Sequence, residues 1–247
     1  NYILNEINKI ITKIGTSLYS IVGKTYFDQN KHSIDKNKFI QYNSFLFFLA
    51  TIISSSLVFS YNSFINIFYG NDMVASKIVS YLFIIMVYIQ IIRTTLNTYL
   101  NGCGLFKDTK VCAITEGIIN LILSLIFVKY FEMAGILIAT IISLLISDFI
   151  IKPIIIKKNL KIFTIKEYYK EFFTYILIGT MLIVLNTFIF KFSCNNLIEW
   201  FFISILIFIF NTLMACMIFK LIGRISWLKD IKNVIFKKRF KEEIWHI

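Results

Sequence analysis

A few polar side chains lie inside long apolar stretches of the chain, and their spacing is the first indication of chemistry. Gln90, Arg93 and Asn97 recur at intervals of three and four residues, and Glu116 and Asn120 are four residues apart. Such intervals place side chains on one face of a helix. Each stretch is therefore predicted to carry one polar stripe, and these five residues are the candidates for the lining of a substrate cavity.

Arg93 and Glu116 are predicted to lie at similar depth on consecutive antiparallel helices, roughly 10 Å and 8 Å from the same end at 1.5 Å per residue. Three interpretations follow. They could form a buried ion pair that fixes helix packing. Arg93 could instead face a cavity, where its planar fork would donate to two oxygens of an acidic group. In the third, Arg93 extends its charge to the membrane interface.

Asp148 and Lys152 are four residues apart, so they can pair along one helix. Alternatively, Asp148 binds a coupling cation or proton. Glu6, Lys9 and Lys13 are further cavity candidates, but only if the helix predicted at the start of the chain crosses the membrane.

The sequence has no recognisable catalytic constellation. Its two histidines, His32 and His246, are isolated, and no glycine-rich phosphate-binding loop is present. The four cysteines have neither metal-binding nor disulfide spacing. We therefore predict a protein that is not an enzyme and that has no metal site and no cofactor.

The elements that position these residues are predicted to be transmembrane helices. Hydrophobic residues make up 57% of the 247 residues and charged residues only 16%, against about 25% in soluble domains. A bilayer core about 30 Å thick requires about 20 helical residues. Six segments reach or approach that length, so the predicted fold is an all-α polytopic bundle with spans at 40–61, 78–100, 111–131, 133–156, 172–190 and 200–222.

The chain divides by composition into four parts. Residues 1–38 are predicted to form an amphipathic helix and a cytoplasmic loop, and 39–156 four transmembrane helices. Residues 157–222 hold a charged connector and two more spans, and 223–247 form a basic cytoplasmic tail. The first helix either lies on the membrane surface or crosses it with a polar side towards water. Because the chain opens inside this amphipathic stretch, we expect it to be the C-terminal part of a longer protein.

Positive charge is distributed unevenly between the two sets of alternating connections. Nineteen Lys and Arg residues lie in one set together with the tail, and three lie in the other. Cytoplasmic loops of membrane proteins are enriched in Lys and Arg, so the first set is predicted to be cytoplasmic. The net charge of +12 then reflects topology and attraction to membrane lipids, and not binding to nucleic acid.

The order of several short motifs resembles the polysaccharide flippases, which export lipid-linked oligosaccharide and belong to the multidrug/oligosaccharidyl-lipid/polysaccharide exporter superfamily. The motifs follow the order and spacing of that family over nearly the whole chain. Glu132-Met133 departs from the pattern, where a turn of small residues is expected. The stretches that carry the resemblance are Gly15–Leu18 with Gly23-Lys24, Phe64–Gly70, Asn101–Lys107, Ile119–Ser124 and Ala134–Ser143.

The resemblance implies the C-terminal lobe of an exporter with the multidrug-and-toxin-extrusion architecture in a bacterial cytoplasmic membrane. The implied substrate is a lipid-linked oligosaccharide, and the implied partners are a polysaccharide polymerase and glycosyltransferases. Arg93 would then attract pyrophosphate or an acidic sugar. Two alternatives stay open: a cation-coupled antiporter of drugs or other small molecules in the same superfamily, and a non-transporting membrane subunit or truncated protein.

The charge asymmetry makes a prediction about orientation. In a cysteine-free background, a single cysteine placed at Asn159 should react with a membrane-impermeant maleimide only from the cytoplasmic side. One placed at Asn196 should react only from outside. Labelling of position 159 in intact cells would contradict the whole assignment of spans.

Overall fold

The structure is a computed structural model that describes residues 2–28, 34–70, 74–189, 196–225 and 227. In this part of the chain the secondary structure is entirely helical. Most of the predicted basic tail lies outside the described residues. The helices are α1 (Tyr2–Asp28), α2 (Lys36–Tyr69), α3 (Lys77–Gly102), α4 (Phe106–Leu145), a π-helical segment (Ile146–Ile151), α5 (Lys152–Leu160), α6 (Ile165–Ile189) and α7 (Leu197–Leu221).

Five helical segments of the described chain are long and apolar enough to cross a membrane. The longest, Phe106–Leu160, has 55 residues, and as a straight helix it would extend roughly 80 Å. It instead folds back at Glu132, whose φ of 50° and ψ of −126° are not helical. Asn120 Nδ2 consequently lies 3.4 Å from Thr140 Oγ1, although the two residues are 20 positions apart.

This segment is therefore a hairpin of two antiparallel arms, and the described residues contain six arms that are long and apolar enough to cross a membrane. The prediction of an all-α polytopic bundle is confirmed. The hairpin turn falls between the predicted spans 111–131 and 133–156. Glu132 adopts a positive φ, which glycine tolerates best, at the position where a small-residue turn was expected.

Close approach of the two hairpin arms depends on Gly135. A Cβ atom at this position would lie 2.3 Å from the carbonyl oxygen of Phe127 on the other arm. No side chain fits at that distance, so the absence of a Cβ atom lets the chain reverse within a few residues.

A π-helical turn interrupts the returning arm of the hairpin next to Asp148. There the Lys152 N–H donates to the Ser147 carbonyl, five residues back, instead of four. Pro153 has no N–H and cannot donate to the Phe149 carbonyl. The Tyr169 hydroxyl of α6 donates to that carbonyl instead, at 2.6 Å. A side chain of a neighbouring helix thus supplies the hydrogen bond that this backbone carbonyl needs in lipid surroundings.

α1 packs lengthwise against α3 and runs in the same direction. A Cβ atom at Gly15 would lie 2.8 Å from Thr94 Cγ2, and one at Gly23 would lie 3.0 Å from the Gly102 carbonyl oxygen. Both contacts join residues of equal sequence offset, which is the signature of parallel helices. This contact favours the alternative in which α1 crosses the bilayer beside α3, although α1 is more polar than the five apolar segments.

α2 contacts α3, α6 and α7 along its length. The Tyr175 ring stacks between those of Phe47 and Phe219, with centroids 4.6 Å and 5.5 Å away. Near the other end of α2, Asn186 Nδ2 donates to Asn211 Oδ1 at 2.7 Å, and Asn211 Nδ2 donates to Ser56 Oγ at 3.0 Å. Hydrogen bonds between buried side chains of this kind hold transmembrane helices together, because hydrophobic burial contributes little to helix association in lipid.

The hairpin geometry makes a prediction about two glycines of the same helix. Gly135→Ala places a methyl group against the Phe127 carbonyl and should lower the free energy of unfolding by about 1–3 kcal/mol. Gly117→Ala is the matched control, because no atom lies within 4 Å of its Cβ position. It should be neutral or stabilising by up to about 1 kcal/mol. Thermal unfolding of both variants in detergent measures the difference, and equal stability would contradict the hairpin.

Candidate functional site

Arg93 lies between two carboxylates in the interior of the bundle. Its Nη1 and Nη2 atoms donate to the two oxygens of Glu116 at 3.1 Å and 3.0 Å. Its Nε atom lies 3.1 Å from Asp148 Oδ2. The side chain of Asp148 is fully buried, and those of Arg93 and Glu116 are 23% and 19% exposed. All three nitrogens of the guanidinium group therefore lie within 3.1 Å of an acidic oxygen, and the contact of Nε with Asp148 is an ion pair without hydrogen-bond geometry.

Lys152 extends this arrangement into a chain of five side chains, which we call the charge network: Glu116, Arg93, Asp148, Lys152 and Asn97. The Lys152 ammonium group contacts Asp148 Oδ1 and donates to Asn97 Oδ1 at 2.7 Å. Its side chain is only 2% exposed. Two positive and two negative charges make the charge network formally neutral, the condition under which charges are tolerated away from water.

Helix register brings the charge network together. Arg93 and Asn97 are one turn apart on α3, and Asp148 and Lys152 are one turn apart on the returning arm of the hairpin. Because α3 and that arm are parallel, the two pairs meet side by side. Glu116 and Asp148 lie sixteen residues before and after Glu132, so the hairpin brings both carboxylates to the same depth.

The geometry favours the ion-pair interpretation of Arg93 and Glu116, and it also contains the predicted pair of Asp148 and Lys152. The contact that the sequence analysis missed is the one between Arg93 and Asp148, which joins the two pairs. The equal distance of the two carboxylates from the hairpin turn is the signal that would have revealed it. In this conformation the fork of Arg93 is occupied, so an acidic ligand would have to replace a carboxylate.

Other predicted cavity residues lie outside the charge network. Asn120 sits nearer the hairpin turn, where it bonds Thr140 and accepts from Ser124 Oγ at 2.9 Å. Gln90 lies about one turn from Arg93, and its buried Oε1 has no hydrogen-bond partner among the described residues.

The candidates on α1 also lie apart from the charge network. Glu6 and Lys9 form an exposed pair at 2.7 Å. Lys13 is exposed as well. The structure therefore does not bring these three side chains together with Arg93.

A polar groove lies between α1 and α3, and the sequence analysis named only part of its lining. It has a volume of about 250 Å³. Asn97 belongs to the lining of this groove and also accepts the hydrogen bond from Lys152. The charge network thus ends at the polar groove, whose other polar side chains are Thr12, Thr16, Tyr19, Thr94, Thr98 and Asn101.

The chemistry available here is the binding of polar and charged groups. The described residues contain no cluster of three or more His, Cys, Asp or Glu that could hold a metal ion. Cys103 lies in the turn after α3, where burial raises the pKa of its thiol to about 12. It therefore stays protonated at neutral pH and is a poor nucleophile.

The bridging position of Arg93 makes a prediction about stability. Arg93→Ala leaves Glu116 without its cationic partner and the buried Asp148 with Lys152 alone, and it should cost about 3–5 kcal/mol. Glu116→Gln should cost less, about 1–3 kcal/mol, because Arg93 keeps Asp148 as its partner. The exchange of charges in Arg93→Glu with Glu116→Arg should not restore stability, because the new carboxylate would face Asp148. The stability of all three variants is measured by their abundance in the membrane and by their unfolding in detergent. Full recovery of stability in the exchanged double variant would show that Asp148 is not a partner of Arg93.

Comparisons of the chain with protein-family models, with curated proteins and with solved structures found no match.

Proposed function

We propose that this multi-pass membrane protein takes part in flipping a lipid-linked oligosaccharide across a bacterial cytoplasmic membrane. The observation that carries the proposal is the position of Asn97, which joins a buried charge network to a polar groove between two helices. Ionisable groups within a membrane are costly, and those that persist there commonly mark a substrate or ion pathway.

The lining of the polar groove suits a carbohydrate. Its threonine and tyrosine hydroxyls and asparagine amides both donate and accept hydrogen bonds, as sugar hydroxyls do. None of the described side chains that line the groove is charged. Neutral sugar residues could therefore replace water there without leaving a charge unpaired.

The charge network suits the other part of such a substrate, its pyrophosphate. A guanidinium fork that fits the two oxygens of Glu116 also fits two oxygens of a phosphate group. Pyrophosphate could take the place of Glu116 on Arg93, and the released helix arm would then be free to move. In this mechanism the lipid tail stays in the bilayer while the bundle rocks between two orientations, with the basic loops on the cytoplasmic side.

One observation favours the second candidate function, a cation-coupled antiporter of small molecules. Asp148 is fully buried between two cationic side chains and lies in a π-helical turn, a feature that is frequent at functional sites. A coupling ion could exchange with Lys152 at this carboxylate. The polar groove is better suited to a carbohydrate than to an apolar drug, so the flippase remains the preferred proposal.

The proposal predicts a specific loss of transport when a hydroxyl is removed from the polar groove. Thr16→Val deletes one hydrogen-bonding group of the lining and should lower the rate of oligosaccharide flipping about three- to tenfold at unchanged abundance. Thr212→Val is the matched control. Both threonines donate to their own helix, Thr16 to Lys13 and Thr212 to Phe208, but Thr212 lies outside the groove.

Surface polysaccharide in complemented cells and flipping in proteoliposomes measure the effect. Arg93→Lys should also reduce flipping, because a point charge cannot replace the bidentate fork. Normal flipping by both Thr16→Val and Arg93→Lys would contradict the flippase proposal. Export of a cationic drug that persists in these variants and is lost in Asp148→Asn would support the antiporter instead.

A further inference from the structure

A cationic cleft opens at the end of the bundle where α5 stops and α6 begins. Its volume is about 850 Å³. The first residue of α2, the last turns of α5 and the 161–164 connector form its walls. Four lysines line this lysine cleft, against one acidic residue, Glu167; they are Lys36, Lys157, Lys158 and Lys161.

The single acidic residue of the lysine cleft is already neutralised. Glu167 Oε1 lies 2.8 Å from the ammonium group of Lys36, and its Oε2 accepts the Thr164 N–H at 2.9 Å. Lys157, Lys158 and Lys161 form no ion pair within the described part of the chain. The lysine cleft therefore has three positive charges with no counterion from those residues.

Lys161 occupies a strained backbone conformation in the wall of the lysine cleft. Its φ of 51° and ψ of 29° are left-handed, and its N–H donates to the Ile156 carbonyl to end α5. Glycine is the usual residue at such a helix end. Because strained backbone is concentrated at functional sites, a lysine in this conformation beside a cationic cleft suggests that its side chain binds a ligand.

The lysine cleft also has an apolar edge. Ile154 lines it and is 51% exposed, and it lies one turn before Lys157 and Lys158 on the same face of α5. That helix face passes from an apolar side chain to ammonium groups in α5, the last part of the membrane-spanning segment Phe106–Leu160. An occupant that satisfies both must carry an anionic head and an apolar tail.

We propose that the lysine cleft is a binding site for the phosphate headgroup of an anionic membrane lipid. The phosphate lies among Lys157, Lys158 and Lys161, and an acyl chain lies along Ile154. Phosphate accepts hydrogen bonds from several ammonium groups at once and supplies the missing negative charge. This site is separate from the charge network and does not depend on the transported substrate.

The test measures lipid binding by the purified full chain after removal of native lipid in a neutral detergent. Native mass spectrometry with added short-chain phosphatidylglycerol should detect a bound lipid, and phosphatidylcholine should bind far less. Each lysine near a phosphate contributes severalfold to affinity, so replacing Lys157, Lys158 and Lys161 together by glutamine should weaken binding about a hundredfold. Lys166→Gln removes an exposed lysine outside the cleft and should change binding less than twofold.

Lys161→Gly separates ligand binding from folding. Glycine relieves the left-handed backbone, so this variant should unfold at a higher temperature and still bind phosphatidylglycerol about fivefold more weakly. If Lys161→Gly and the triple glutamine variant both bound phosphatidylglycerol as tightly as the unmodified protein, the proposal would be overturned. Tight binding of inorganic phosphate with no preference for phosphatidylglycerol over phosphatidylcholine would overturn the assignment to a lipid.

Discussion

The packing of this bundle depends on how Arg93 is neutralised inside the membrane. A lone guanidinium group there would be costly, and pairing with Glu116 alone would leave the Asp148 carboxylate dependent on Lys152. By bridging the two carboxylates, Arg93 ties α3 to both arms of the hairpin at once. The positions of three membrane-spanning arms are therefore coupled, and a ligand or ion that disturbs one pair changes the balance of the others.

Irregular backbone makes that arrangement possible. The hairpin requires a chain reversal at Glu132 and a glycine at position 135, and the returning arm contains a π-helical turn beside Asp148. Each irregularity would be unfavourable in lipid if it left backbone groups unpaired. The hydroxyl of Tyr169 donates a hydrogen bond to the Phe149 carbonyl, which would otherwise be unpaired. In this way α6 supports the backbone next to Asp148.

Two separate sites towards the same end of the bundle combine polarity with lipid contact in different ways. The polar groove between α1 and α3 reaches the charge network through Asn97, and its uncharged lining suits hydroxyl-rich ligands. The lysine cleft lies at the end of the membrane-spanning segment Phe106–Leu160, where three lysines without an ion-pair partner among the described residues stand beside an apolar side chain. Under the two proposals, a sugar-bearing headgroup and an anionic lipid would contact separate sites.

The sequence by itself determined the class of fold and the approximate positions of the six apolar spans. It could do so because hydrocarbon permits only long apolar helices, and that constraint is local and readable along the chain. Intervals of four residues also predicted the pair of Asp148 and Lys152, and matching depth predicted the pair of Arg93 and Glu116.

Only the tertiary structure decided how those pairs combine. The contact of Arg93 with Asp148, the parallel packing of α1 on α3 and the convergence of lysines from α2 and α5 join residues that are distant in sequence. Such contacts depend on the rotation and register of each helix against its neighbours. An apolar helix in lipid presents hydrophobic residues on nearly every side, so its sequence indicates that it spans but leaves open which face turns inward.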